Sequence, residues 1–508
     1  MKHSSRFNFI IVLLLTIAAG TVFVTSILTT IYYDMHSDVD FPHYKKEEFL
    51  LLAISVAAFL VLFVVLRKFG AFSKDRICLA VGLLFCSAYC LTLIFAIRPL
   101  PVNDSKLIDD CIKEFMAGDY SSLTDADGYL HIWPFQLGYV LFGQTMTRLF
   151  GEGNYFAWDI AQLISILLTV FFLYMITWEL FEDKIICGIM AILSMGMLFF
   201  YNYVAFIYGD ILSMAPQTIA IYCIVMYIKK QNALYALSSA PFIAAAVVIK
   251  TNCEIALIAM VMGIFIGSFS RPYGRKIVEK ILLSAVIIAV VFGAKWAVDQ
   301  HYCKLAGIDE IPGGSPSVSH IVMGISESEL EDGWYNGYNY KVFAENGSDT
   351  DATKKAATVD LIDRLDTFVH HPGYAAKFFI RKFITQWADP VCISTHNLDL
   401  VSRHVENQPA LCDFLVFGTG MTILSWIMNV FMTVCYLGVI VYLIHAIRNG
   451  GSSKEAQLIL VLIFGGIMFH EFWEGSSRYT MRYYVYWLPF AAWGTDAVIR
   501  KLVSKRRI

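Results

Sequence analysis

Charge is what this sequence has least of. Only 16% of its 508 residues are Asp, Glu, Lys or Arg, against about 25% in an average soluble protein. That is too little to keep a surface of this size wet, which excludes a soluble enzyme and a disordered scaffold. A basic excess is missing too: 39 Lys and Arg face 42 Asp and Glu, for a net charge of −3, so nucleic acid is not an expected partner. The 11 cysteines show no pairing pattern, which excludes a secreted disulfide framework. Most of them, such as Cys78, Cys86 and Cys187, fall in apolar runs and read as small buried hydrophobes, while Cys303, Cys392 and Cys412 fall in polar sequence. There is no tandem repeat and no low-complexity tract. The histidines His370, His371, His396 and His404 lack metal-ligand spacing, so no metal site is expected from them.

What the chain has instead is apolar length. Hydrophobic residues make up 57% and aromatic residues 15%, with a mean hydropathy of +0.59. A transmembrane helix needs about 20 mostly apolar residues. Twelve stretches approach or meet that: Phe7–Tyr33, Phe49–Leu66, Ile77–Ile97, Phe156–Phe181, Ile185–Phe200, Ile211–Tyr227, Ala233–Ile249, Cys253–Phe269, Ile281–Val298, Met421–His445, Gln457–Trp473 and Tyr484–Ile499. The expected fold is an all-α polytopic membrane protein of about 12 helices. The first run reads as a retained helix, since it is long and lacks a clear cleavage site.

Basic residues in short connectors orient the bundle. Arg67, Lys68, Lys74 and Arg76 follow the second stretch, Lys229 and Lys230 the sixth, Arg271, Arg275, Lys276 and Lys280 the eighth, and Arg500, Lys501, Lys505, Arg506 and Arg507 the last. The connector Tyr201–Asp210 has none. Both termini are therefore expected on the cytoplasmic side. The chain divides into N-terminal helices (1–97), a first outer loop (98–155), a middle set of helices (156–298), a second outer loop or lid (299–412) and C-terminal helices (413–508). Loops of that length tend to be functional, so chemistry is expected on the outer face.

In the first loop, Pro99 and Pro101 end a helix and Asn103 or Asp104 can cap the next. Apolar Leu107, Ile108, Cys111, Ile112, Phe115 and Met116 recur at helical spacing up to Gly118, which predicts an amphipathic surface helix. Asp104 at its start has two readings: a helix cap, or a general base at the lip of the bilayer. Asp125-Ala126-Asp127 has the carboxylate pair that some sugar transferases use to hold a divalent cation, and it equally fits an exposed turn.

Other polar residues stand at the ends of apolar stretches. Lys250, in Lys250-Thr251-Asn252, is either a functional cation or a lysine snorkelling to the interface. Between the last two stretches lies His470-Glu471-Phe472-Trp473-Glu474-Gly475-Ser476-Ser477-Arg478-Tyr479-Thr480-Met481-Arg482. It is either a Glu474–Arg478 helical pair within an aromatic belt or a site for an anion. Arg478 suits phosphate because guanidinium can form two parallel charge-assisted bonds to it, with Arg482 as its substitute. Asp210 is either a cap or an acid facing a cavity, and Asp159 has the same two readings. In the second loop, amphipathic helices are expected over Thr358–His370 and Tyr374–Trp387; Lys377, Arg381 and Lys382 of the latter are placed to meet lipid headgroups.

The order of these features resembles the GT-C class of integral-membrane glycosyltransferases, nearest to the protein O-mannosyltransferase and aminoarabinose-transferase type. The likeness rests on Asp104 at the start of the first outer loop, the surface helix, Gly118-Asp119-Tyr120, the run Tyr129…Trp133-Pro134…Gln136-Leu137-Gly138, and the late Glu474…Arg478-Tyr479 element. Ser105 stands where the class often has Glu, and two helices precede the one that leads into this loop, where the class usually has none. The resemblance implies a multi-pass protein of a bacterial plasma membrane that moves a sugar, with inversion, from a polyprenyl-phosphate donor to a glycan, lipid or protein acceptor on the outer face. It makes Asp104 the base. Lys250 and Arg478, or Arg482, become the phosphate ligands, and Tyr129, Trp133, Gln136, Asp210, Glu474 and Tyr479 line the substrate cavity. The competing expectation is a multi-span transporter or flippase for a lipid-linked glycan.

Overall fold

The computed structural model describes residues 3–266, 275–404 and 408–504. Arg271, Lys505, Arg506 and Arg507, which helped set the expected orientation, lie outside the described residues. Within them the fold is helical throughout, except for one antiparallel hairpin of β1 (Thr29–Tyr33) and β2 (Pro42–Lys46).

Among the described residues, eight helices are long and apolar enough to cross a membrane: Arg6–Leu28, Phe49–Lys68, Asp75–Ile97, Tyr155–Phe181, Gly209–Lys230, Ile277–Ala306, Thr419–Arg448 and Lys454–Phe472. A ninth span arises if Lys184–Gly196 and Leu198–Ala205, bent by 53° at their break, are taken as one. Ala233–Ile249 and Thr251–Phe265 are shorter apolar helices, and the twelfth expected stretch falls in the 17-residue helix Leu488–Ser504. Most expected boundaries hold within a few residues, but the stretch expected over Ile281–Val298 runs longer, over Arg275–Ala306, and the one expected over Ile185–Phe200 breaks after Gly196. The end of Cys253–Phe269 lies outside the described residues. The first stretch leaves the helix at Leu28 and becomes β1. Thr29-Thr30-Ile31-Tyr32-Tyr33 is apolar enough to extend a span, yet its β-branched and aromatic residues favour a strand.

Helices cross closely where side chains are smallest. A Cβ on Gly494 would stand 1.8 Å from the Gly438 carbonyl, so Thr419–Arg448 and Leu488–Ser504 pack nearly backbone to backbone. Small residues at a crossing are how membrane helices gain contact without water to drive them together. Several polar residues inside the bundle are paired: Tyr174 donates to Asp75 at 2.6 Å, and Asn429 donates to Glu47 at 2.8 Å. All 11 cysteines are free and buried, including Cys303, Cys392 and Cys412.

The two long connecting segments fold onto the bundle. The expected surface helix forms as Asp104–Ala117, closed by Gly118 at φ 85°. The second segment builds Thr350–His370 and Pro372–Trp387, which meet through Ile325, Phe368 and Phe378. Lys382 departs from its expected place beside headgroups. It is fully buried, and its Nζ donates to the carbonyls of Gly324, Glu471 (3.0 Å) and Trp473 (2.6 Å). It thereby ties the second segment to the turn after Lys454–Phe472.

Candidate functional site

One cavity of about 700 Å³ gathers Asp104, Tyr129, Trp133, Gln136, Lys250, Glu474, Arg478 and Tyr479. Local geometry explains each placement. Asn103, at φ 49°, precedes the surface helix without making a side-chain cap. Ser105 instead folds back, its Oγ donating to the Val102 carbonyl at 2.7 Å and accepting from the Val102 N–H at 2.8 Å. Asp104 is thus the first helical residue, exposed on the cavity wall, and it makes no capping bond. The cap reading of Asp104 is therefore set aside.

The helix Leu137–Phe150 starts beside the end of Ala233–Ile249, where a Cβ on Gly138 would lie 2.0 Å from the Val248 carbonyl. Only glycine permits that approach, and it brings Gln136 to the level of Lys250. Gln136 donates to the Tyr208 hydroxyl at 2.7 Å. Lys250 follows the last turn of Ala233–Ile249 in extended conformation. Its Nζ lies 3.2 Å from Asp210 Oδ1 and 4.2 Å from the Tyr208 ring centre. Asp210 is buried behind the wall rather than on it. Burial pushes the Lys250 ammonium down to about 8, opposed by the Asp210 charge.

Arg478 stands in the first turn of Ser477–Tyr484, capped by Ser476. The expected Glu474–Arg478 ion pair is not formed. The Tyr479 hydroxyl lies between them: it accepts from Arg478 Nη2 at 3.1 Å and donates to Glu474 Oε1 at 3.2 Å. The guanidinium also faces the rings of Tyr208 at 5.5 Å and Phe206 at 5.8 Å, and its Nε has no partner among the described residues. This is a half-buried cation at a cavity wall. Arg482 is different: it is buried away from the cavity, donating to Ser213 Oγ at 2.8 Å and Cys253 Sγ at 3.2 Å. Burial pushes the Glu474 carboxyl up to about 7, with Arg478 opposing and the Asp104 charge adding to the rise.

Four lining residues had no place at a cavity in the sequence reading. Asp38 and Asp40 come from the tip of the hairpin, and His396 and Asn397 from the helix Ser394–Ser402. His320 stacks on Trp473 at 5.0 Å, with 3° between the rings, and closes one side of the cavity. The dipeptide pattern around Asp38 carries a turn signal; His396 and Asn397 carry none. Asp125 and Asp127 are exposed and do not line the cavity. Asp159 is buried in Tyr155–Phe181, also away from the cavity. Among the described residues no group of three or more His, Cys, Asp or Glu is arranged to hold a metal ion.

Residues 137–296 match the family described as dolichyl-phosphate-mannose-protein mannosyltransferase. The match covers Asp210 and Lys250 but neither Asp104 nor Arg478. It agrees with the resemblance to GT-C glycosyltransferases that the sequence carries around Asp104 and Glu474…Arg478-Tyr479. Among solved structures, the crystal structure of ArnT from Cupriavidus metallidurans bound to undecaprenyl phosphate aligns over 83% of this chain and 77% of that one, at 11% identity and a TM-score of 0.32. No curated protein matches the chain in sequence.

Proposed function

We propose that this protein is a membrane glycosyltransferase that moves a sugar from a polyprenyl-phosphate donor to an acceptor at the outer face of the membrane, with inversion at the anomeric carbon. The observation that carries the reading is that Asp104, Arg478 and Lys250 share one cavity at the helix ends. Transfer of this kind makes two demands. The acceptor must lose a proton as it attacks, and the leaving phosphate must have its growing charge met.

Asp104 is the proposed base: it is exposed to the cavity and held in no capping bond. Arg478 is the principal phosphate ligand, because it lines the cavity with no ion-pair partner among the described residues and its charge lies against the rings of Tyr208 and Phe206. Lys250 is secondary, since Asp210 already holds part of its field. Arg482 supports the wall from behind. Tyr129, Trp133, Gln136 and Tyr479 shape the cavity around the sugar, with Asp210 positioning Lys250 and Glu474 positioning Tyr479. A transporter would carry its charges near the bilayer midplane, whereas these gather where helices end.

Mass spectrometry of envelope glycans and lipids from cells with and without the protein tests the reading. It predicts one sugar substituent that disappears with the protein and is linked with the anomeric configuration opposite to the donor's. An unchanged glycan profile contradicts it.

A further inference from the structure

The hairpin is the part of the cavity that neither the sequence pattern nor the family match accounts for, and it is firmly built. Tyr33 donates to the buried Asp389 at 2.8 Å. The His36 backbone N–H donates to Asp399 at 2.6 Å, and Arg403 pairs with Asp38 at 2.6 Å and bonds Asp399 at 2.9 Å. These bonds fix the tip that carries Asp40 against the helix Ser394–Ser402.

Asp40 is half-buried and lines the cavity. Among the described residues its carboxylate has neither a hydrogen bond nor an ion pair, while its charge is felt at His396 and Glu474. Next to it, His396 and Asn397 are 2% and 6% exposed. Both line the same cavity, yet His396 Nδ1 and Asn397 Nδ2 lack partners. Buried polar atoms are seldom left unpaired, and a ligand is one of the things that pairs them. Ile393 and Leu400 supply apolar surface around them.

We propose that Asp40, His396 and Asn397 form a subsite for the hydroxyl groups of a sugar ring. A carboxylate only accepts, an amide nitrogen only donates, and a histidine nitrogen does either; neighbouring ring hydroxyls both donate and accept, so they satisfy this mixed set where phosphate or an ammonium group would not. The inference deepens the function proposed above and rests on it for the source of the sugar, which is either the donor's or the acceptor's.

The test uses the full-length protein in lipid nanodiscs, read by emission of the cavity residues Trp133, Trp334 and Trp473. It is titrated with methyl mannoside, glucoside, galactoside and arabinoside, and separately with sugar-free undecaprenyl phosphate. At least one glycoside binds saturably, and Asp40→Asn and Asn397→Ala each weaken it about tenfold, the scale of one hydrogen bond to a charged or buried group. The same variants change undecaprenyl phosphate affinity by less than about twofold. Competition by the polyprenyl phosphate carrying that sugar assigns the ring to the donor; absence of competition assigns it to the acceptor. Failure of all four glycosides to bind, or binding indifferent to both variants, overturns the subsite. If undecaprenyl phosphate fails to bind while glycoside binding still depends on Asp40, the transferase reading falls and the subsite stands.

Discussion

Lys250 Nζ lies 3.2 Å from Asp210 Oδ1, with both residues largely withdrawn from solvent. A buried pair of this kind is weak evidence for stability, but removing one partner strands the other charge and costs about 3–5 kcal/mol. Lys250→Met is therefore expected to lower the unfolding temperature sharply. Lys250→Met combined with Asp210→Asn restores it while still binding undecaprenyl phosphate a few-fold more weakly than the unsubstituted protein. Thermal unfolding and lipid-phosphate titration of the single and double variants separate the two effects.

The two arginines of Ser477–Tyr484 divide the work. Arg478→Ala is expected to weaken undecaprenyl phosphate binding about 10–100-fold, the scale of a lost charge-assisted contact, with little change in stability because its guanidinium has no ion-pair partner among the described residues. Arg478→Lys recovers part of the loss, since the charge returns without the fork. Arg482→Ala is expected to act through the fold instead, taking the guanidinium donor away from Cys253 Sγ and Ser213 Oγ in the interior. Parallel binding and unfolding curves for the three variants check the assignment.

Glu474 gives the protein a pH dependence with a definite sign. Its carboxyl titrates at about 7 in the folded chain because it is buried, against an ordinary value of about 4.3. The folded state therefore holds a proton that the unfolded state has lost, and stability falls as pH rises from about 4.3 to about 7, then levels off. A bound phosphate favours the neutral form further, so donor binding takes up a proton and weakens as pH rises through about 7. Glu474→Gln is expected to reduce the pH dependence of both profiles, leaving the contribution of Lys250 near pH 8, measured by unfolding temperature and by undecaprenyl phosphate affinity between pH 5 and 9.

Lys382 latches the second long segment to the turn that carries Trp473 and Glu474. Lys382→Met leaves three carbonyls without their shared donor, a cost of about 1–3 kcal/mol for each group left buried and unpaired. Hydrogen exchange is expected to quicken selectively around residues 320–335 and 471–475, with the spans Asp75–Ile97 and Thr419–Arg448 unchanged.

Much of this architecture is legible from hydropathy alone, because a span must be apolar along most of its length and the membrane enforces that locally. The amphipathic period from Leu107 to Met116 and the stop at Gly118 gave the surface helix within two residues at its start. What escaped depends on tertiary placement. Thr29–Tyr33 reads as the end of a span until β2 pairs with it. Arg478 and Arg482, one turn apart, are alike in sequence; the depth of their short helix in the bundle sends one to the cavity and the other to Ser213. Lys382 has an interfacial pattern around it, and only the carbonyls it meets reveal a buried latch. His396 and Asn397 reach the cavity because the hairpin tip and Ser394–Ser402 are bonded together, which no local pattern records.

The most direct measurement is single-turnover sugar transfer by the Asp104→Asn variant, run alongside its affinity for undecaprenyl phosphate. The substitution keeps shape and removes the charge that accepts the proton. With Asp104 as base, transfer falls by about 10²–10⁴-fold while lipid-phosphate affinity and unfolding temperature stay near those of the unsubstituted protein. Transfer at an undiminished rate in that variant contradicts the account.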